Sequence, residues 1–96
     1  MKAIVSVIGK DKKGIIAKVS TALYEMDINI EDISQTILQN YFTMIMAVET
    51  QDNSPNFEQI TLNLKALGEK LGVEIHIQSQ SIFDSMHKIS NSNQEL

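Results

Sequence analysis

Cysteine is absent from this 96-residue chain, and that one gap excludes a disulfide framework, a thiolate metal site and a cysteine nucleophile. Arginine is absent as well. All eight basic residues are lysines, so the planar guanidinium fork that grips phosphate through two parallel hydrogen bonds is missing. Twelve acids outweigh the lysines and leave a formal net charge of −4, the wrong sign for a face that binds nucleic acid. Met1 and Lys2 lead at once into an alternating pattern, and no apolar run reaches the length of a signal-peptide core or a membrane span. The expectation is a cytoplasmic protein with neither nucleic acid nor membrane as a partner.

What is present is enough apolar sequence, 43% of the chain, for one core and too little chain for a second. KAIVSVI, residues 2–8, is rich in Val and Ile and too short for a stable helix, so it reads as a strand. Ile15, Ile16, Val19, Ala22, Leu23 and Met26 recur at three- and four-residue intervals, which places them on one face of a helix. The period then changes. Ile28 and Ile30 share one parity while Ile33 and Ile37 share the other, so a second strand must switch faces near Glu31 and Asp32, through a bulge. A tight turn at Gln39-Asn40 and the alternation of Phe42, Met44, Met46 and Val48 complete a hairpin.

Further on, Ser54 is placed to cap a second helix with Pro55 in its first turn and an apolar stripe of Phe57, Ile60, Leu64, Leu67 and Leu71, ended by Gly72. Val73, Ile75 and Ile77 then alternate with polar residues as a last strand. The element order is βαββαβ. Right-handed crossovers turn that order into a ferredoxin-like α+β sandwich: a four-stranded antiparallel sheet with both helices on one face. The domain is expected over residues 1–80. A short C-terminal helix over 81–90 follows, with Ser81 and Asp84 at capping-box spacing and an apolar stripe of Ile82, Phe83, Met86 and Ile89. It is expected to pack on the domain or on a partner subunit, and 91–96 is a polar, disordered tail.

Both parities of the inner strands are apolar. Ala3, Val5 and Val7 oppose Ile4 and Ile8 in the first strand; Ile45 and Ala47 oppose the Phe42-to-Val48 set in the third. A sheet face left bare with those residues would be an exposed apolar patch, which monomers seldom keep. Either the last helix or a second subunit is expected to cover it.

GKDKKGII, Gly9 to Ile16, joins the first strand to the first helix. Its two glycines suggest a phosphate-binding loop, but Gly14 is followed by Ile15 and Ile16 where that chemistry needs Lys and Ser or Thr. What remains is a strand-to-helix loop in which Gly14 is expected to allow close approach, and a helix start whose free backbone N–H groups favour a carboxylate. Lys12 and Lys13 add positive charge beside it, and Asp11 is the group in the loop able to answer an ammonium. A small zwitterion suits both. The plainer alternative is that Asp11 only caps the helix while the lysines stay solvated.

The stretch DKKGIIAKVSTALYEMDINIEDI, Asp11 to Ile33, resembles the ACT domain, a small regulatory module that typically binds amino acids: a loop acid, Gly14, an aliphatic pair, a helix, then Asn29-Ile30 opening the second strand. The likeness in element order runs from residue 2 to about residue 80, and the whole chain looks like the small free-standing bacterial ACT proteins related to the regulator of glycine cleavage. The resemblance implies an effector at a dimer interface, held by Asp11, Gly14 and the Ile15 amide of one subunit, with Asn29 from its neighbour and Ile30 in support; Lys12 and Lys13 join these candidate binding residues through their charge. Lys13 stands where many relatives place Pro, and Asp11 where serine-sensing members tend to have Asn.

A catalytic constellation is not in evidence in the sequence. His76 and His87 supply the two imidazoles, on the polar side of a strand and on the last helix, and form no motif with one another. Acyl-phosphate hydrolysis on this architecture uses an Arg, copper chaperones a Cys pair, and RNA-binding relatives a basic, aromatic-rich sheet; Tyr41 and Phe42 alone make no such platform. The sequence therefore predicts a non-enzymatic regulatory module that needs no cofactor. It binds a small amino acid as a homo-oligomer, most simply a dimer, and acts on a partner protein. The alternative is an effector-free interaction or oligomerisation module.

Overall fold

The computed structural model describes residues 1–10 and 13–86. Strands β1 (Lys2–Lys10), β2 (Ile28–Leu38), β3 (Tyr41–Thr50) and β4 (Glu74–Ser79) form one sheet in the order β2-β3-β1-β4, every neighbour antiparallel. Helices α1 (Ile15–Glu25) and α2 (Phe57–Leu71) follow β1 and β3. This is the ferredoxin-like arrangement expected from the element order.

The core lies between the sheet and the two helices. From β1 it takes Ala3, Val5 and Val7, and from β3 Phe42, Met44, Met46 and Val48; Val19 and Leu23 of α1 and Ile60 and Leu64 of α2 pack against them. Cross-strand register puts Ala3 beside Val48, Val5 beside Met46 and Val7 beside Met44, so one parity of each inner strand faces the helices. Two glycines permit close approach. A Cβ on Gly9 would sit 2.7 Å from Val73 Cγ1, and one on Gly68 would sit 2.7 Å from the Val73 carbonyl oxygen, so the turn into β4 presses against both β1 and α2.

The face switch in β2 is real: the β2–β3 register slips between Ile30 and Asp32. There the Asp32 carboxylate accepts a 2.8 Å hydrogen bond from the Ile33 amide. Gln39 takes a left-handed φ of 57° in the turn that joins Leu38 to Tyr41. Gly72 ends α2 in the left-handed conformation, as its position suggested.

Three local expectations are corrected. Asn56, rather than Ser54, caps α2: its side chain accepts from the Gln59 amide at 2.8 Å, and Pro55 lies in the loop before it. Ser54 instead accepts from the Gln51 amide at 2.9 Å and donates to the Asp27 carbonyl at 2.7 Å. It thereby ties the α1–β2 junction to the β3–α2 loop. Val73 is buried but precedes β4 rather than belonging to it. Residues 80–86 are helical (α3), and the cap is Ser79, whose hydroxyl accepts from the Ile82 amide at 3.4 Å, while Ser81 lies inside the helix. Ile89, His87 and the 91–96 tail fall outside the described residues.

Described α3 does not lie over the bare sheet face. Ile82 shares a surface groove with Met1, Phe57 and Ile77, and Ile77 pairs with Val5 on the helix-facing parity. On the other face Ile8 and Ile45 remain 44% and 41% exposed.

Candidate functional site

The loop from β1 to α1 emerges at the hairpin end of the sheet, because Lys10 pairs with Tyr41. Asp11 and Lys12 fall outside the described residues. Lys13 and Gly14 are exposed, and Ile15 is buried, 3% exposed. Its side chain belongs to the core, so only its backbone amide is available to a ligand. Gly14 occupies the N-cap position with φ 87° and no side-chain cap, and its carbonyl accepts from Lys18 N at 3.0 Å. A Cβ there would meet nothing within 4 Å. Glycine is required at this position by the left-handed backbone, not by close approach, and the space beside the helix start is open.

Asn29 is elsewhere. It opens β2 opposite Glu49, on the sheet face away from the helices, while Ile30 pairs with Val48 on the helix side and is half-buried. Between Gly14 and Asn29 runs the whole of α1, 11 residues, or about 16 Å at 1.5 Å per residue. One chain therefore does not bring its own Gly14 and Asn29 together. Helix α1 ends with Asp27 in a left-handed conformation, φ 57°, its amide bonded to the Tyr24 carbonyl at 3.0 Å. Around this end Tyr24, Asp27, Ile28, Asn29, Glu49 and Gln51 line a polar cleft of about 530 Å³. Of these only Asn29 was singled out from sequence as a site residue; the convergence of Asp27 and Glu49 on it depends on the β2–β3 register.

Elsewhere, a groove of about 420 Å³ runs between α2 and β4 past Lys65, Glu69 and Glu74, and holds none of the sequence-predicted binding residues. His76 is exposed on the bare sheet face, with Nε2 3.6 Å from Glu74 Oε2. No cluster of three or more metal-ligating side chains occurs among the described residues, nor is any described helix long and apolar enough to cross a membrane.

Two α/β halves around one antiparallel sheet, with an open glycine-headed helix start at one end and a polar cleft at the other, define a ferredoxin-like module of the kind that carries its chemistry on loops. The chain belongs to the ACT domain family, whose model matches residues 2–78. It is 55% identical over 89 residues to a UPF0237 protein of Clostridium acetobutylicum, covering 93% of this chain and 100% of that protein. Among solved structures it is similar to an ACT domain protein from Streptococcus pneumoniae, with TM-score 0.77 and 48% identity over 86% of this chain and 93% of that one. The regulatory subunit of aspartate kinase from Thermus thermophilus matches with TM-score 0.62 and 29% identity, over 80% of this chain and 50% of that one. A chain described as a glycine cleavage system transcriptional repressor shares the fold at TM-score 0.70 and 19% identity, over 80% of this chain and 44% of that one.

Proposed function

We propose that this ACT domain is a regulatory module that binds a small amino acid between two copies of the chain and passes the change to a partner protein. The observation that carries the reading is the open helix start at Gly14, where backbone N–H groups and Lys13 favour a carboxylate. Asp11 in the same loop is assigned to the ammonium.

The separation of Gly14 from Asn29 supports a site shared between subunits. β2 is an edge strand, and it runs from the Asn29 end of the sheet to the hairpin end, where Gly14 lies. A two-fold pair formed along antiparallel β2 edges carries Asn29 and Ile30 of each chain toward Gly14 of the other. The same pairing covers Ile33 and Ile37, which face the helix side opposite Met46 and Phe42 yet are 44% and 53% exposed. Effector binding acts on the partner only through a difference in affinity between the free and paired arrangements.

A thermal-shift screen of the twenty amino acids tests the reading. Ligand at about a hundred times its dissociation constant stabilises the fold by roughly 2.7 kcal/mol, which raises the midpoint by about 10 °C or more for a domain of this size. The shift is expected to shrink in Asp11→Ala and in Asn29→Ala. A hit that both variants retain in full removes the site assignment. No hit at millimolar ligand leaves the effector-free interaction module, which the exposed Ile8 and Ile45 favour.

A further inference from the structure

The face of the sheet that no helix covers has a pattern of its own. Reading register across β3 and β1 from the hairpin end, Tyr41 lies beside Lys10, Thr43 beside Ile8, Ile45 beside Ser6, Ala47 beside Ile4 and Glu49 beside Lys2. Apolar and small residues hold the middle and charges hold the ends. Apart from Leu38 at the hairpin end, β2 and β4 flank this strip with polar side chains: Ser34 lies beside Ile45, and His76 beside Ser6. A dry centre with a polar rim is the anatomy of an interface.

We propose that this face stacks on the same face of a second copy of the chain, about a two-fold axis that runs parallel to the strands between β3 and β1. That operation keeps each residue at its own level along the sheet and exchanges β3 for β1. Glu49 of each chain then meets Lys2 of the other, Ala47 meets Ile4, and Thr43 meets Ile8. At the rim Ser34 faces His76 and Thr36 faces Glu74. Charges select this arrangement over its rival. An axis perpendicular to the strands would invert the levels and set Lys2 of each chain against Lys10 of the other, a repulsion with no acid opposite either lysine. Lys2 already reaches Glu31 of its own chain at 3.7 Å, so in the stacked pair it lies between two carboxylates. The usual tilt of about 30° between stacked sheets displaces the ends by a few ångströms, within reach of long Lys and Glu side chains.

The size is adequate. Four strands about 4.8 Å apart and about 27 Å long present roughly 500 Å² of flat sheet before side-chain relief is added, close to the roughly 600–800 Å² per partner of specific interfaces. The stack uses a face and the β2 pairing uses an edge, so the two draw on different residues, and the stacked pair is closed on its own about its two-fold axis.

Light scattering on the purified chain at tens of micromolar tests this. The wild type is expected to contain an even number of chains, and Ile45→Lys, which buries a charge in the stack, to halve that number with an unchanged circular dichroism spectrum. Glu49→Lys is expected to weaken self-association about tenfold or more by opposing Lys2 of the second copy, and Lys2→Glu in the same chain to restore it. Lys10→Glu separates the two stacks: here Lys10 faces Tyr41 and association is expected to stay unchanged, whereas in the inverted stack the new acid would meet Lys2 and strengthen it. A folded Ile45→Lys of unchanged mass overturns the proposal, as does an odd chain number. A monomeric wild type also overturns it, and leaves the face to a molecule of another kind. Should Ile45→Lys fail to fold, the charge-reversal pair decides alone.

Discussion

The two faces of the central sheet are built from nearly the same residues and meet different fates. Val5 and Val7 are fully buried while Ile8 is 44% exposed, and Met44 and Met46 are fully buried on either side of Ile45 at 41%. Alternation along a strand decides which side a residue takes; whether it is buried depends on what lies over that side. β2 makes the same point within one parity. Ile28, Ile33 and Ile37 all face the helix side, yet exposure rises from 5% to 44% and 53% as the strand extends away from its first residues.

Substitution can break this contrast at matched positions. Met46→Ala is expected to cost about 2–5 kcal/mol in urea unfolding because it leaves a cavity in packed surroundings. Ile45→Ala, measured where the chain is monomeric, should change stability by no more than about 0.5 kcal/mol. Equal losses at the two positions would mean that the bare face is covered within a single chain. Gly9→Ala comes next, at about 1–3 kcal/mol from overpacking against Val73, whereas its neighbour Ile8, on the open face, should tolerate Ala. Asn56→Ala, which removes the cap of a helix that makes the covered face what it is, should cost about 1 kcal/mol. A lowered melting midpoint with an unchanged assembly size would sharpen the separation between folding and association.

Much of this was legible in the sequence. The parity change at Glu31-Asp32 demanded a slip in register, and the structure has one. Gly72 was readable because few residues suit a left-handed cap, and the Gln39-Asn40 turn because it separates two alternating runs; that Gln39 would take the left-handed φ was not readable. The caps were less legible, since Ser54, Asn56, Ser79 and Ser81 all carry side chains fit to cap. The choice rests on a bond from Ser54 to Asp27, 27 positions away. Gly9 gave no local sign that Val73 would press on it. At the candidate site a glycine at the helix start was legible, but as a point of close approach; its left-handed φ of 87° and the open space around it were not. Nor was the cleft around Asn29, because Glu49 and Gln51 reach it only through pairing of β2 with β3.

The hydroxyl of Ser54 holds the Gln51 amide and the Asp27 carbonyl at once. Two connections that are far apart in the chain thus share one pivot: the entry to the second strand and the approach to the second helix cannot shift independently without breaking it. Asn29 follows the tied carbonyl by two residues and Asn56 follows the hydroxyl by two, so the first residues of the edge strand and the cap of the second helix are fastened to the same point.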